Sequence, residues 1–346
     1  MKQRKSHKKV LWISLLVFII LLLAGGVFIY NRLFSPAFDI NETAYIYIDE
    51  RKDYDELLLQ LQTTAKIKDI RSFQKLASAT GYPDKIKTGR YALTPQTTLR
   101  QALAILSNAM QTPTNITFNN IRIKQDFTKR INEQLMLDGD SLLSYLNNQQ
   151  ICQQYGFDTT TILCMFIPNT YEIYWNISLD KYMQKMKREY DNFWTEERKK
   201  RAESIPLSPI QVSILASIVE EETAASSEFA TVAGLYINRL KSGMLLQADP
   251  TVKYAIGDFS LRRILNVHLK TESPYNTYLN TGLPPGPIRM PSIKGINAVL
   301  NYEKHNYIYM CAKEDFSGKH NFATNMAAHN RNADRYRQAL NQRKIY

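Results

Sequence analysis

The chain has 346 residues, 44% of them apolar, and a formal charge of +12. That length and apolar content allow a membrane segment plus one or two globular domains. The positive charge comes with no zinc finger, RNP-like motif or recognition helix, so nucleic acid is not an expected partner. The cysteines Cys152, Cys164 and Cys311 form no CxxC pair, and the five histidines show no metal-binding spacing. No disulfide framework, metal or cofactor is therefore expected.

Residues 1–9 carry five cations and no acid. Residues 10–30 carry no charge and are mostly Leu, Ile and Val. As a helix they span roughly 30 Å, enough to cross a bilayer once. The cationic flank predicts a cytoplasmic N-terminus, with everything after residue 35 outside: a single-pass protein of the cell (inner) membrane with a periplasmic or extracytoplasmic body. A cleaved signal peptide is the rival, but the apolar core is long for one and no A-x-A site follows.

Residues 44–48 predict a strand. Asp53 with Glu56 has capping-box spacing and opens a helix through Leu57, Leu58, Leu59 and Leu61. A helix over 69–79, a strand over 89–93 and a helix opened by Thr98 and Gln101 follow. The β-α-α-β order, with no cluster suited to catalysis, predicts a recognition or scaffolding module. Further on, residues 117–122 predict a strand, and 126–138, 140–148 and 179–203 predict helices. The run Arg198-Lys199-Lys200-Arg201 reads as a solvated helix face. The aromatic segment Phe166-Ile167-Pro168-Asn169-Thr170-Tyr171 reads as a structured loop whose rings pack into a core.

The next helix ends on three carboxylates. Ser208, Pro209 and Gln211 mark its start, and Ile214-Leu215-Ala216-Ser217-Ile218-Val219-Glu220-Glu221-Glu222-Thr223 is its end. A helix C-terminus carries partial negative charge. Like charges and apolar neighbours push a carboxyl pKa upward, and an acid that keeps its proton near neutral pH suits general acid catalysis. Glu222 closes the stripe Val212, Leu215, Ala216, Val219, and Glu221 closes the stripe Ile214, Ile218. Glu220 follows Ser213 and Ser217 and reads as the most solvated. Periodicity leaves Glu221 and Glu222 open.

A helix from Ser227 to Gly243 comes next. Beyond it, Gln247-Ala248-Asp249-Pro250-Thr251 and Ser273-Pro274-Tyr275-Asn276-Thr277-Tyr278 read as polar-aromatic loops. Residues 281–288 read as a stiff hairpin-like segment and 307–310 as a strand. Phe322-Ala323-Thr324-Asn325 and His329-Asn330 lead into a final helix. Amides, hydroxyls and rings of this kind suit a sugar, although Asn and Pro also serve simply as turn formers.

Ala216 to Thr223, Asn238-Arg239-Leu240, Leu246 to Val252, Tyr275 to Tyr278 and Gly282-Leu283-Pro284-Pro285-Gly286-Pro287-Ile288, in this order, closely resemble the MltG/YceG family of membrane-anchored endolytic murein transglycosylases. The match continues through Phe322, Asn325 and His329-Asn330 and covers most of residues 40–340. The resemblance implies an α+β protein: a basic tail (1–9), a transmembrane anchor (10–30), a LysM-like β-α-α-β subdomain (40–112) and a mixed α/β YceG-like catalytic domain (113–346). The family's catalytic glutamate directly precedes the threonine of an E-x-E-T pattern, which selects Glu222 and makes Glu220 a supporting acid. Gln247, Asp249, Tyr275, Asn276, Thr277, Tyr278, Asn325 and His329 become the implied substrate-binding set. Ala248 stands where the family has threonine, and Asn169 where it has aspartate.

The implied reaction cleaves the β-1,4 bond between N-acetylmuramic acid and N-acetylglucosamine within glycan strands and leaves a 1,6-anhydro end, with Glu222 as acid and then base. The implied partners are peptidoglycan, the membrane and neighbouring wall synthases. A hydrolytic muramidase would need a second carboxylate, with Asp249 or Glu172 as candidates. A non-catalytic wall-binding anchor would leave the glutamates unexplained. In the catalytic reading Glu222 should open into a groove lined by Gln247, Asn276 and Tyr278.

Overall fold

The computed structural model describes residues 2–261 and 263–343. It has a mixed α/β architecture, and the chain forms two compact units. The first runs up to Asn115 and includes Glu172–Ile177. The second comprises Ile116–Tyr171 and the chain from Ser178 onward.

The first unit opens with helix α1 (Lys2–Phe34). Its segment Trp12–Phe34 is long and apolar enough to cross a membrane, with mean hydropathy 2.8. Strand β1 (Ala44–Ile48), helices α2 (Tyr54–Thr63) and α3 (Ile70–Ala79), strand β2 (Gly89–Leu93) and helix α4 (Leu99–Ser107) follow. The strands pair antiparallel, Ala44 opposite Leu93 and Ile48 opposite Gly89. Two helices connect them, and their apolar faces close one core around Ile46, Leu57, Leu61, Phe73, Tyr91 and Leu106. The Asp53 side chain accepts from the amides of Asp55 and Glu56, so the predicted cap is present. The Glu56 carboxylate bonds Arg51 at 2.6 Å. At α4 the Thr98–Gln101 box is reciprocal.

Strand β3 (Thr114–Thr117) precedes the second unit's helices α5 (Lys124–Asn132), α6 (Gly139–Asn147) and α7 (Gln149–Gln154), then strand β4 (Thr170–Ile173). The strand expected over 117–122 ends at Thr117, and Asn120 adopts φ +59°, which breaks extended pairing. Phe166 and Tyr171 are core residues, packed with Phe118, Phe127 and Tyr182. The helix expected over 179–203 is two, α8 (Leu179–Phe193) and α9 (Glu196–Ser204). The buried Trp194 leaves helical geometry between them, and Thr195 caps α9.

Helix α10 (Pro209–Glu222) is the centre of this unit and packs against α11 (Phe229–Lys241), α12 (Asp249–Ile256) and α13 (Ile293–Leu300). The segment expected as the loop 247–251 starts α12 instead, because Asp249 and Pro250 are favourable first-turn residues. Residues 281–288 contain bends and no strand. Strand β5 (Tyr309–Ala312) pairs antiparallel with β6 (His320–Ala323), and α14 (Met326–Gln342) closes the described chain.

Candidate active site

Helix α10 starts as its sequence requires. The Ser208 hydroxyl accepts from the Gln211 amide, the Gln211 side chain accepts from the Ser208 amide, and Pro209 fills the first turn. Every residue from Val212 to Val219 is buried, including Ser213 and Ser217. The serine hydroxyls donate to the carbonyls of Pro209 (3.1 Å) and Ile214 (2.7 Å). The helix thus has no solvated face over these turns. The expectation that Glu220 is the most solvated acid fails for that reason: its side chain is only 5% exposed.

The three carboxylates meet different neighbours. Glu220 accepts from the Ser292 amide at 3.1 Å and from the Ser292 hydroxyl, with Arg289 Nε at 3.5 Å. Glu221 is held between two guanidinium groups, Arg122 at 2.8 Å and Arg289 at 2.9 Å. Glu222 ends the helix half-buried and accepts a 2.6 Å hydrogen bond at Oε1 from the Tyr236 hydroxyl of α11. Burial pushes the Glu222 carboxyl up to about 7. The Tyr236 bond opposes that rise, the Asp249 charge adds to it, and the Arg239 charge opposes it. Glu220 and Glu221 are not among the causes. The like charge that raises it is Asp249.

Glu221 and Glu222 line a cavity of about 780 Å³, within the usual range for small-ligand sites. Asp249, Pro250 and Lys253 of α12 form another part of its wall, and Tyr336 of α14 contributes as well. Gln247 and Asn276, expected to line the groove, are not part of this wall. Tyr278 touches the site through its hydroxyl, which donates to Asp249 Oδ1 at 2.6 Å.

The remaining loop residues are mostly tied to the loops themselves. Asn276 is fully buried, donates to the carbonyls of Leu269 and Thr271, and accepts from the Tyr278 amide. The buried Thr277 accepts from the Ala248 amide, shares a hydrogen bond with Thr251, and offers its carbonyl to Gln247. Ala248 itself is buried, a position where a small side chain is fully accommodated. Tyr275 packs on Tyr254, with ring centroids 4.8 Å apart. Gly286 passes so close to Tyr275 that a Cβ there would meet the phenol oxygen at 2.8 Å. Asn325 caps α14 by accepting from the Ala328 amide. His329 stacks near Tyr309, and burial lowers its pKa, with the Arg239 charge acting in the same direction. Glu172, a candidate second carboxylate, belongs to the other compact unit.

The sequence profile of the YceG-like family matches residues 46–335. The chain belongs to the YceG-like family. It is 36% identical over 163 residues to an endolytic murein transglycosylase of Bacillus subtilis (strain 168), covering 47% of this chain and 43% of that protein. It is 27% identical over a 371-residue alignment to an endolytic murein transglycosylase of Streptococcus pneumoniae (strain D39), covering 94% of this chain and 65% of that one. The chain thus spans between two-fifths and two-thirds of these curated relatives. A crystal structure of a YceG-like protein from Listeria monocytogenes shares the fold, with TM-score 0.54 and 22% identity over 84% of this chain and 99% of that one.

Three features of this YceG-like site escape a reading of the sequence. Tyr236 lies two residues before the Asn238-Arg239-Leu240 motif, and only the packing of α11 against α10 brings its hydroxyl to Glu222. Arg239 is buried and donates to the carbonyls of Ile308 (2.7 Å) and Leu246 (2.6 Å), which ties the residue preceding β5 to the loop before α12. Thr223 of the E-x-E-T pattern donates to Glu228, which also accepts from the amide and Nδ1 of His320. The end of α10 is thereby fastened to β6.

Proposed function

We propose that the chain is an endolytic murein transglycosylase with Glu222 as its acid and base. The observation that carries this reading is that Glu222, unlike the neighbouring Glu220 and Glu221, meets no cation in an ion pair among the described residues and keeps a proton up to about pH 7, at the wall of the cavity. Its carboxyl proton passes to the glycosidic oxygen as the C1–O bond of N-acetylmuramic acid breaks. The carboxylate then takes the proton of the muramoyl 6-hydroxyl as that oxygen bonds C1. The 1,6-anhydro product forms, the acid is restored and no water is consumed. Because the Tyr236 bond occupies Oε1, Oε2 is the oxygen that carries the proton to substrate. Glu220 is the supporting acid, through its grip on Ser292. Asp249 and Tyr278 act at the cavity wall. Gln247, Tyr275, Asn276, Thr277, Asn325 and His329 shape or border the glycan path, with Asn276 and Thr277 acting through the loop they fasten.

In this reading residues 1–9 are cytoplasmic, α1 is a single-pass anchor, and the body lies outside the membrane. Residues 40–112 form a LysM-like subdomain that holds wall glycan, a reading supported by the antiparallel β-α-α-β core. Residues 113–346 form the catalytic domain. Action on nascent strands beside wall synthases fits this placement.

Glu222→Gln should lower release of anhydro-muropeptides from purified peptidoglycan by about 10²–10⁴-fold, the usual contribution of a positioned acid, while the far-ultraviolet circular dichroism spectrum stays unchanged. Full activity in that variant would sink the assignment. A hydrolytic muramidase, with Asp249 as the second carboxylate, is the near rival because Asp249 shares the cavity wall. Reducing ends in place of anhydro ends would select it.

A further inference from the structure

A second cavity lies wholly within the first unit, at the end of α1, and has a volume of about 730 Å³. Leu33 and Phe34, the last residues of α1, form part of its wall, and Leu76 of α3 and Leu103 of α4 form another part. Hydrocarbon side chains such as these suit an acyl chain and leave the hydroxyls of a sugar without partners.

Among the described residues that line this cavity the charged ones are all positive: Lys85, Lys87 and Arg100, each exposed. The Arg100 guanidinium sits 5.4 Å from the centroid of the Phe34 ring, a cation–π contact that holds the charge at the mouth of an apolar wall. Tyr82 also lines the cavity. It is 2% exposed, and its hydroxyl has no hydrogen-bond partner among the described residues. A buried hydroxyl of that kind calls for an acceptor.

Location identifies the occupant. The apolar segment of α1 ends at Phe34, and Phe34 is itself part of the cavity wall. The cavity therefore begins where the hydrocarbon around α1 ends, at the depth of lipid headgroups. Cations at that depth can form charge-assisted hydrogen bonds with the phosphate of an anionic lipid. We propose that the cavity holds one anionic phospholipid of the membrane in which α1 sits, with an acyl chain along Leu33, Leu76 and Leu103 and the phosphate on Lys85, Lys87 and Arg100. The lipid would lock the last turn of α1 onto α4. The proposal rests on reading α1 as a membrane anchor.

The test uses the full chain, reconstituted into nanodiscs of phosphatidylglycerol and phosphatidylcholine in equal parts and then examined by native mass spectrometry. Co-elution with nanodiscs reads anchoring separately, and its failure would overturn the anchor itself. With the chain anchored, one phosphatidylglycerol should remain bound per protein, in about tenfold or greater preference to phosphatidylcholine. Lys85→Gln/Lys87→Gln/Arg100→Gln should abolish that preference. Ala104→Trp, at an exposed position of the same wall, should expel the lipid while circular dichroism shows an intact fold. Equal retention of the two lipids would overturn the proposal, as would equal behaviour of wild type and both variants. Displacement by millimolar inorganic phosphate, by a soluble chitin oligosaccharide or preferentially by a polyprenyl phosphate would also overturn it, since each would assign the cavity to a different ligand.

Discussion

The carboxyl of Glu222 sits between a hydroxyl that favours its ionised form and a carboxylate that disfavours it. The 2.6 Å bond from Tyr236 holds the pKa down, and the Asp249 charge holds it up. In the proposed reaction Glu222 must start protonated, so kcat/KM falls as pH rises through about 7. Tyr236→Phe should move that basic limb to higher pH, and Asp249→Asn should move it to lower pH. A pH–rate profile of each purified variant checks this. Two losses of rate with an unmoved limb would reduce both residues to structural roles. The same raised pKa bears on stability. The folded state binds the Glu222 proton up to about pH 7, while an ordinary glutamate releases it near 4.5. Stability is therefore lost as pH rises from about 4.5 to 7, where the folded state must begin to bury a charge. Glu222→Gln removes that cost and should stabilise the protein by about 1–2 kcal/mol at pH 8, a gain that fades towards pH 4.5. Thermal melts at pH 4.5, 6 and 8 would show it, and a pH-independent difference would contradict it.

At the scale of elements, the junction of α10 and α13 fixes where the acids point. Ser292 caps α13 by accepting from the Gly295 amide at 3.1 Å, and its own amide and hydroxyl both bond Glu220. Ser292→Ala should cost about 2–4 kcal/mol, combining the lost cap with a weakened hold on a buried carboxylate. The melting temperature should fall while the pH–rate limb stays in place, because Glu220 is not among the groups that set the Glu222 pKa. The same junction explains why α13 is hard to see in the sequence. Gly295 makes the segment look like a poor helix, yet a Cβ at this position would meet Glu220 Cδ at 2.8 Å. Elements governed by neighbours in the chain are legible. The Thr98–Gln101 and Ser208–Gln211 boxes and the strands 44–48 and 89–93 stand where periodicity and caps put them. Elements governed by tertiary partners are not. The break at Trp194 follows from burying a large ring, and β6 exists through its pairing with β5. Within the site, the E-x-E-T pattern marks Glu222 as the candidate acid, whereas Tyr236 and the two arginines on Glu221 arrive from distant segments that no local pattern connects.

At the scale of the whole molecule, the apolar surface of α1 and the cavity beside Glu222 are built from separate stretches of chain. The described side chains between Trp12 and Phe34 are largely exposed, with Trp12 at 70% and Leu23 at 66%. A contiguous apolar surface of this kind suits a hydrocarbon environment, and its 23 residues reach about 35 Å as a helix, long enough to span a bilayer with some tilt. The cavity wall, by contrast, contains no residue before Glu221 among the described residues. A chain that starts at Ser35 should therefore be monodisperse without detergent and should no longer float with lipid vesicles. It should still release anhydro-muropeptides from isolated peptidoglycan in a Glu222-dependent way. Some loss of thermal stability is expected as well, because removing Leu33 and Phe34 uncovers the wall formed by Leu103 and Leu76. Flotation, gel filtration and product chromatography on the same preparation separate these effects. A folded, soluble fragment that cleaves nothing would place the membrane helix within the catalytic requirement. A fragment that still floats would put the membrane attachment elsewhere in the chain.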